Sequence, residues 1–461
     1  MKNHIIILFL GALLLGACKK SFLDAKPSSN IVNPTTLNGF QALLENNTAL
    51  NQTGALPQMS SDEYFIVSQS DFDALNNLTY KGAYLWNKDL YGGETNQPDW
   101  NQVYKAVFYA NSVLDGLKTI GTNAANQVQY NNIAGEALFF RAYAFFDLAR
   151  NFSPVYNQGT ATTDLGIPLR MSSGIDVTVQ RSTLQQTFDQ IIADLNLSVS
   201  LLNNDISKTN PNRPSRSAAY AMLARVYLYM GKYTDAGNAA NECLKKYNTI
   251  IDYNKVDTTT ETPFSYTTEE TIFFSTQVYN YDATTGYTDY YTNLGVDTNL
   301  IQLYNKSDLR LPIFFEKNSL NNYNLKRGYV GGGFYAFTGL ATDEVMLIKA
   351  ECAARSNDTQ TAVAVLNQLL VSRYKTGSYT PLTVSNAANA LIRILLERRK
   401  ELVWRALRWS DLKRYNRDGA KITLQRNLNG VVYTLPPNSS LYVFPIPDDE
   451  ISLSGIKQNV R

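Results

Sequence analysis

The stretch from Ser217 to Tyr247, SAAYAMLARVYLYMGKYTDAGNAANECLKKY, constrains this chain more than any other. Its small and apolar residues recur at helical spacing on either side of Gly231-Lys232, which predicts two helices joined by a tight turn. Tyr220, Leu223, Ala224 and Tyr227 fall on one face of the first helix. Tyr233, Ala236, Ala240 and Cys243 take the matching places after the turn. Alanines at 224 and 236 allow the two helix axes to approach closely.

This spacing resembles a tetratricopeptide unit, with Asn248 where the closing proline would stand. Weaker copies are readable elsewhere. Asp343 to Leu370 carries Ala350, Ala353 and Ala362 at the small positions, with Asn357 in place of the turn glycine. Glu136 to Arg150 reads as the first helix of another copy, with a helix from Trp100 to Leu117 packed before it. A last pair is expected around Ala387 to Tyr415. Copies at such irregular intervals predict a mainly α fold, a helical-repeat scaffold carrying long loop-rich insertions and short strands rather than a continuous solenoid. The largest insertion, residues 248–339, is rich in Thr, Asn, Tyr, Asp and Gly and has only short strand-like runs such as Thr271 to Val278. Function is expected on such loops.

Composition removes several kinds of chemistry. The one histidine, His4, lies in an N-terminal segment that reads as a signal: Met1-Lys2, an apolar run from Ile5 to Leu15, then Gly16-Ala17-Cys18. The run is short of the roughly 20 apolar residues of a spanning helix. Cys18 after small residues resembles the lipobox of bacterial lipoproteins, so residues 1–17 are expected to be removed and Cys18 acylated, anchoring the chain to a membrane. The mature chain would then lack imidazole, which excludes Ser-His-Asp and Cys-His centres and His-ligated zinc. No metal site or cofactor is expected. Cys243 and Cys352 sit among alanines and read as small packing residues, with a single disulfide between them as the alternative. Without Lys2, 41 basic side chains face 40 acidic ones, a balance that does not favour nucleic acid. Thirty Tyr suit the handling of polar, ring-shaped ligands, although most are expected to pack between helices.

Several motifs, in order along nearly the whole mature chain, resemble the SusD/RagB family of outer-membrane lipoproteins. They are Cys18 followed by Ser21-Phe22-Leu23-Asp24 and Pro27; Ser61-Asp62-Glu63; Tyr84-x-Trp86; and Gly135-Glu136-Ala137 with Arg141-Ala142-Tyr143 and Asp147-Leu148. Glu344-Val345 to Glu351 and Glu397-Arg398-Arg399-Lys400-Glu401-Leu402 to Arg408-Trp409-x-Asp411-Leu412-Lys413-Arg414 follow. The tail Phe444-Pro445-Ile446-Pro447 with Glu450-Ile451 and Lys457-Gln458-Asn459 completes the set. Arg405-Ala406 depart from the usual Glu-Gly, and Lys19-Lys20 from the usual acidic residues. The resemblance implies one SusD-like domain over residues 18–461, with an N-terminal part at about 22–215 and a C-terminal part at about 216–461. It further implies a non-enzymatic, cell-surface nutrient-binding lipoprotein. Such a protein acts as lid and partner of a SusC-like TonB-dependent outer-membrane importer, and its ligand is an oligosaccharide or, less commonly, a peptide.

Sugars stack on aromatic rings while Asn, Asp, Glu and Arg satisfy their hydroxyls. The expected ligand residues, taken from loops and the family's aromatic arc, are Asp62, Glu63, Trp86, Asn87, Tyr279, Tyr281, Tyr287 and Tyr290. Trp100 is assigned to helix core. The charges of Glu397 to Arg414 read as a buried ion-pair network, with Glu397 and Glu401 non-catalytic. Two other readings stay open: a helical-repeat adaptor for proteins, and a carboxylate-pair glycosidase, which needs neither His nor Cys.

Overall fold

The computed structural model describes residues 34–203, 205–279 and 292–461. Nine long helices among the described residues form the scaffold: α1 Pro98–Ile120, α2 Gln127–Phe152, α3 Leu184–Leu201, α4 Arg216–Met230, α5 Tyr233–Lys246, α6 Thr342–Arg355, α7 Thr359–Leu370, α8 Ala387–Glu401 and α9 Arg408–Arg417. Local chemistry sets their ends. Ser215 caps α4 through its side chain, and Gly231 closes it at φ 79°. Thr183 and Gln186 make a reciprocal capping box at the start of α3. At the turn from α6 to α7, Asn357 adopts φ 62°, the left-handed conformation that Gly231 supplies in the other hairpin.

The hairpins α4–α5 and α6–α7 form as the repeat spacing predicts, and α5 packs on α6. The earlier copy also forms, but the partner of α2 is α3, which begins 32 residues after α2 ends. In space α1 to α7 therefore follow one another as a stack, and the insertions loop out of it. Both helices of the final pair form, and Arg398 and Asp411 bridge them at 2.8 Å, but they do not pack as a hairpin. α8 packs on α6 and α7, whereas α9 turns away to α4 and to the short helix Leu56–Ser60. The turn between α8 and α9 holds Trp404 at φ 59° and Ala406 at φ 52°. A left-handed Ala406 explains why glycine is usual there.

Every side chain of α2 from Ile133 to Phe152 is buried. A helix buried on all sides must pair its charges within the core. Arg141 forms a two-pronged bridge to Asp194 with both contacts at 2.8 Å. Asp147 accepts from Arg150 and from the Gly54 amide, and Glu136 accepts from Gln41 at 2.8 Å. The charged letters of the α2 motif thus hold the core together. Cys243 and Cys352 are buried free thiols, which corrects the disulfide alternative. Burial pushes both thiols up to about 12.

Strands are short and pair in six two-stranded ribbons among the described residues. Two of them matter for the site. Gln52–Thr53 runs parallel to Thr276–Gln277, and Tyr64–Ile66 runs antiparallel to Leu294–Val296. No helix among the described residues is long and apolar enough to cross a membrane.

Candidate functional site

Segment 51–67 threads between the helices, and its backbone is fixed by buried carboxylates. The Gly54 amide donates to Asp147 and the Leu56 amide to Asp99, each at 2.8 Å. A β-carbon at Gly54 would sit 2.4 Å from an Asp99 carboxylate oxygen, so only glycine fits. After the short helix Leu56–Ser60 the chain presents Asp62 and Glu63 and enters the strand Tyr64–Ile66.

Asp62 lies at the surface with 20 % of its side chain exposed. It takes a forked pair of bonds from Arg408 at 2.7 and 2.8 Å and a further one from Arg399 at 3.3 Å. Partial burial alone would raise its pKa, but the two guanidinium groups outweigh that and hold the carboxyl well below the usual range. Arg399 also reaches Asp297 at 3.8 Å, and its Nε has no hydrogen-bond partner among the described residues. Asp62, Asp297, Arg399 and Arg408 therefore make one half-open charged cluster. Sequence reasoning placed both arginines in the buried network and left out Asp297. The helical period held the missing signal for Arg399: 200° of rotation separates it from Glu397, while Glu397 and Glu401 share a face.

Glu63 points the other way and is 1 % exposed. Gln58 donates to it at 2.9 Å and the Trp404 amide at 3.3 Å. Burial dominates and pushes its carboxyl up to about 7. Trp86 is corrected in the same sense. Its ring is 4 % exposed, and its Nε1 donates to the Ser60 carbonyl at 2.9 Å. Together with Tyr64 and Tyr84 it surrounds the Arg426 guanidinium, at 5.0, 5.0 and 3.8 Å from the ring centres. That ring is a structural wall and offers no free face. Asn87 is exposed just beyond it. Tyr279 is exposed at 47 %. Tyr281, Tyr287, Tyr290 and Cys18 lie outside the described residues. Trp100 is core, as its helical position predicts.

Both margins of the tyrosine-rich stretch are tied to the Asp62 segment. The Val278 amide donates to the Thr53 carbonyl at 2.8 Å, and the Val67 amide donates to the Asn293 carbonyl at 3.0 Å.

The same elements leave the carboxylates poorly placed for acid–base work. Glu397 and Glu401 are buried on Arg310, and Glu401 also on Arg373. Asp62 is clamped by two arginines, and Glu63 is enclosed. No group of His, Cys, Asp and Glu among the described residues could hold a metal ion.

Comparison with known proteins gives the lineage. The family model described as "SusD family" matches residues 203–461, and one described as "Starch-binding associating with outer membrane" matches residues 21–228. The chain belongs to the SusD family. A SusD-like protein of Bacteroides ovatus is 26 % identical over 245 residues, a match spanning 51 % of this chain and 41 % of that protein's length. Among solved structures, a SusD superfamily protein from Bacteroides thetaiotaomicron superposes with a TM-score of 0.74 at 22 % identity, covering 92 % of this chain and all of that one. A SusD-like carbohydrate binding protein from Bacteroides vulgatus gives 0.68 at 20 % identity, covering 91 % and 96 %. The helical scaffold is that of the family.

Proposed function

We propose that this chain is a cell-surface glycan-binding lipoprotein that captures an oligosaccharide and acts as lid and partner of a SusC-like TonB-dependent outer-membrane importer. The observation that carries the reading is the attachment of both margins of the tyrosine-rich stretch to the strands around Asp62. The exposed ring of Tyr279 follows closely on a strand paired with the segment that carries Asp62. In this reading Tyr279, Tyr281, Tyr287 and Tyr290 supply stacking faces, while Asp62 and Asn87 bind hydroxyls. Trp86 and Glu63 support the site from beneath. Family membership and the carbohydrate-binding relative of the same fold support a saccharide as the ligand. Residues 1–17 are removed in this account, and lipid on Cys18 tethers residues 18–461 to the outer membrane.

The ligand is held and passed on unchanged. Glycoside hydrolysis needs a protonated acid and a carboxylate flanking one bond. Asp62 stays ionised under its arginines, and Glu63 has no access to solvent. Calorimetric titration of the full-length chain with a panel of oligosaccharides, with the products analysed afterwards, tests this. Saturable heat with intact sugar is expected. Cleavage that depends on an Asp or Glu pair, or silence toward every sugar, would overturn it.

A further inference from the structure

A second cavity, of about 240 Å³, is built from none of these residues; it lies between α1, the loop Pro168–Gly174 and the helix Asp448–Ser454. Trp100, Tyr104 and Phe108 follow at intervals of four along α1 and line one wall. Trp100 and Tyr104 have ring centres 4.8 Å apart.

The opposite wall is held rigidly. Tyr104 donates its hydroxyl to the Pro168 carbonyl at 2.9 Å, and Asn111 donates to the carbonyls of Arg170 and Ser172 at 2.8 and 3.2 Å. Asp115 accepts from the Ser173 amide at 2.8 Å. All of these bonds fix the loop backbone and none uses the Arg170 side chain. Arg170 and Lys105 both line the cavity, and neither makes an ion pair or a side-chain hydrogen bond among the described residues. The carboxylate of Glu450 stands at a third side, one oxygen accepting from Trp100 Nε1 at 3.2 Å.

Two cations outside any ion pair, beside aromatic rings, select an anion with a C–H face. The volume falls below the roughly 300–1,000 Å³ of pockets for larger ligands, so it suits one ring rather than a chain. We propose that this cavity binds a single sugar acid, a hexuronate, with its carboxylate between Arg170 and Lys105 and its ring face on Tyr104 and Phe108. The second oxygen of Glu450 accepts a ring hydroxyl. Guanidinium and ammonium donors to a carboxylate make the strong, charge-assisted kind of bond. Because one of these cations is open to solvent, binding weakens with salt.

Saturation-transfer NMR on the full-length chain, titrated with D-glucuronate and separately with D-glucose, tests the proposal. Glucuronate is expected to bind at least about tenfold more tightly than glucose, the range of one charge-assisted hydrogen bond. The double variant Lys105→Gln, Arg170→Gln, which touches none of the backbone bonds that fix the loop, should erase that preference and leave the melting temperature unchanged. Equal binding of the two sugars, or a preference that survives in the double variant, would overturn the assignment. Failure of the oligosaccharide panel would leave this result intact, so the two sites are tested separately.

Discussion

Helix α8 carries two sets of charges whose surroundings could hardly differ more. On its inner face Glu397 and Glu401 meet Arg310 at 2.6 and 2.9 Å, Glu401 meets Arg373 at 2.6 Å, and Lys400 closes the ring on Asp308 at 2.7 Å. All of these side chains are buried. On its outer face Arg399 reaches Asp62 and Asp297 at the protein's edge, where every partner keeps some exposure. The residue types are the same, and solvent decides what they do. Buried ions must be matched completely or the fold loses several kcal/mol. Half-open ions stay available to a ligand and add little to stability.

Variants on the two faces should therefore separate stability from binding. The largest loss is expected at the inner face. Glu401→Ala removes the carboxylate that Arg310 and Arg373 share, leaving Asp308 and Glu397 on the first and Glu270 on the second, and chemical denaturation should show a loss of about 3–5 kcal/mol from the broken buried network. Affinity measured on the folded fraction should not change. Next comes Trp86→Ala, which empties a buried aromatic site and removes the bond to Ser60, at about 3 kcal/mol. A stable Trp86→Ala protein with weakened ligand affinity would return that ring to the site and break the division drawn here.

Glu63 lies where the two regions meet, and pH exposes it. Its folded-state carboxyl, at about 7, lies above the unfolded value of 4.5, so the folded state holds its proton more tightly. The stability this confers is full below pH 4.5 and is lost as pH rises toward 7. Glu136, also raised to about 7 by burial, falls in the same window. Glu63→Gln keeps the shape and cannot ionise. Its stability relative to the parent should rise between pH 5 and pH 8, on the order of 2 kcal/mol. A constant difference across that range would show that Glu63 titrates normally. The smallest stability effect is expected at Tyr279→Ala, within about 0.5 kcal/mol because the ring is exposed. Its affinity for the oligosaccharide should nonetheless fall.

The sequence read the scaffold well because helix periodicity, turn residues and small packing positions are local signals. Gly231 and Asn357 mark both hairpin turns, and the structure puts both in the left-handed region. The partner of α2 went unread because 31 residues intervene, and spacing within a window carries no information across them. The last two helices form where expected but do not pack as a hairpin, because Trp404 and Ala406 turn α9 toward α4, a tertiary choice invisible in periodicity. The exposure of the candidate residues was legible in part. Asp62 emerged at the surface, while Trp86 and Glu63, one indole and one carboxylate on neighbouring loops, turned inward. Loop residues give no periodic sign of which way they face. Arg399 was the converse case, an outward residue on a regular helix that its own period would have revealed.

The division between a closed ionic core and an open binding edge is tested most directly by titrating one oligosaccharide into the parent and into the double variant Asp62→Asn, Tyr279→Ala, with melting curves recorded on both. The account predicts saturable binding of intact sugar by the parent, affinity at least about tenfold weaker in the variant, and only a small change in melting temperature. Unchanged affinity in the double variant would contradict it.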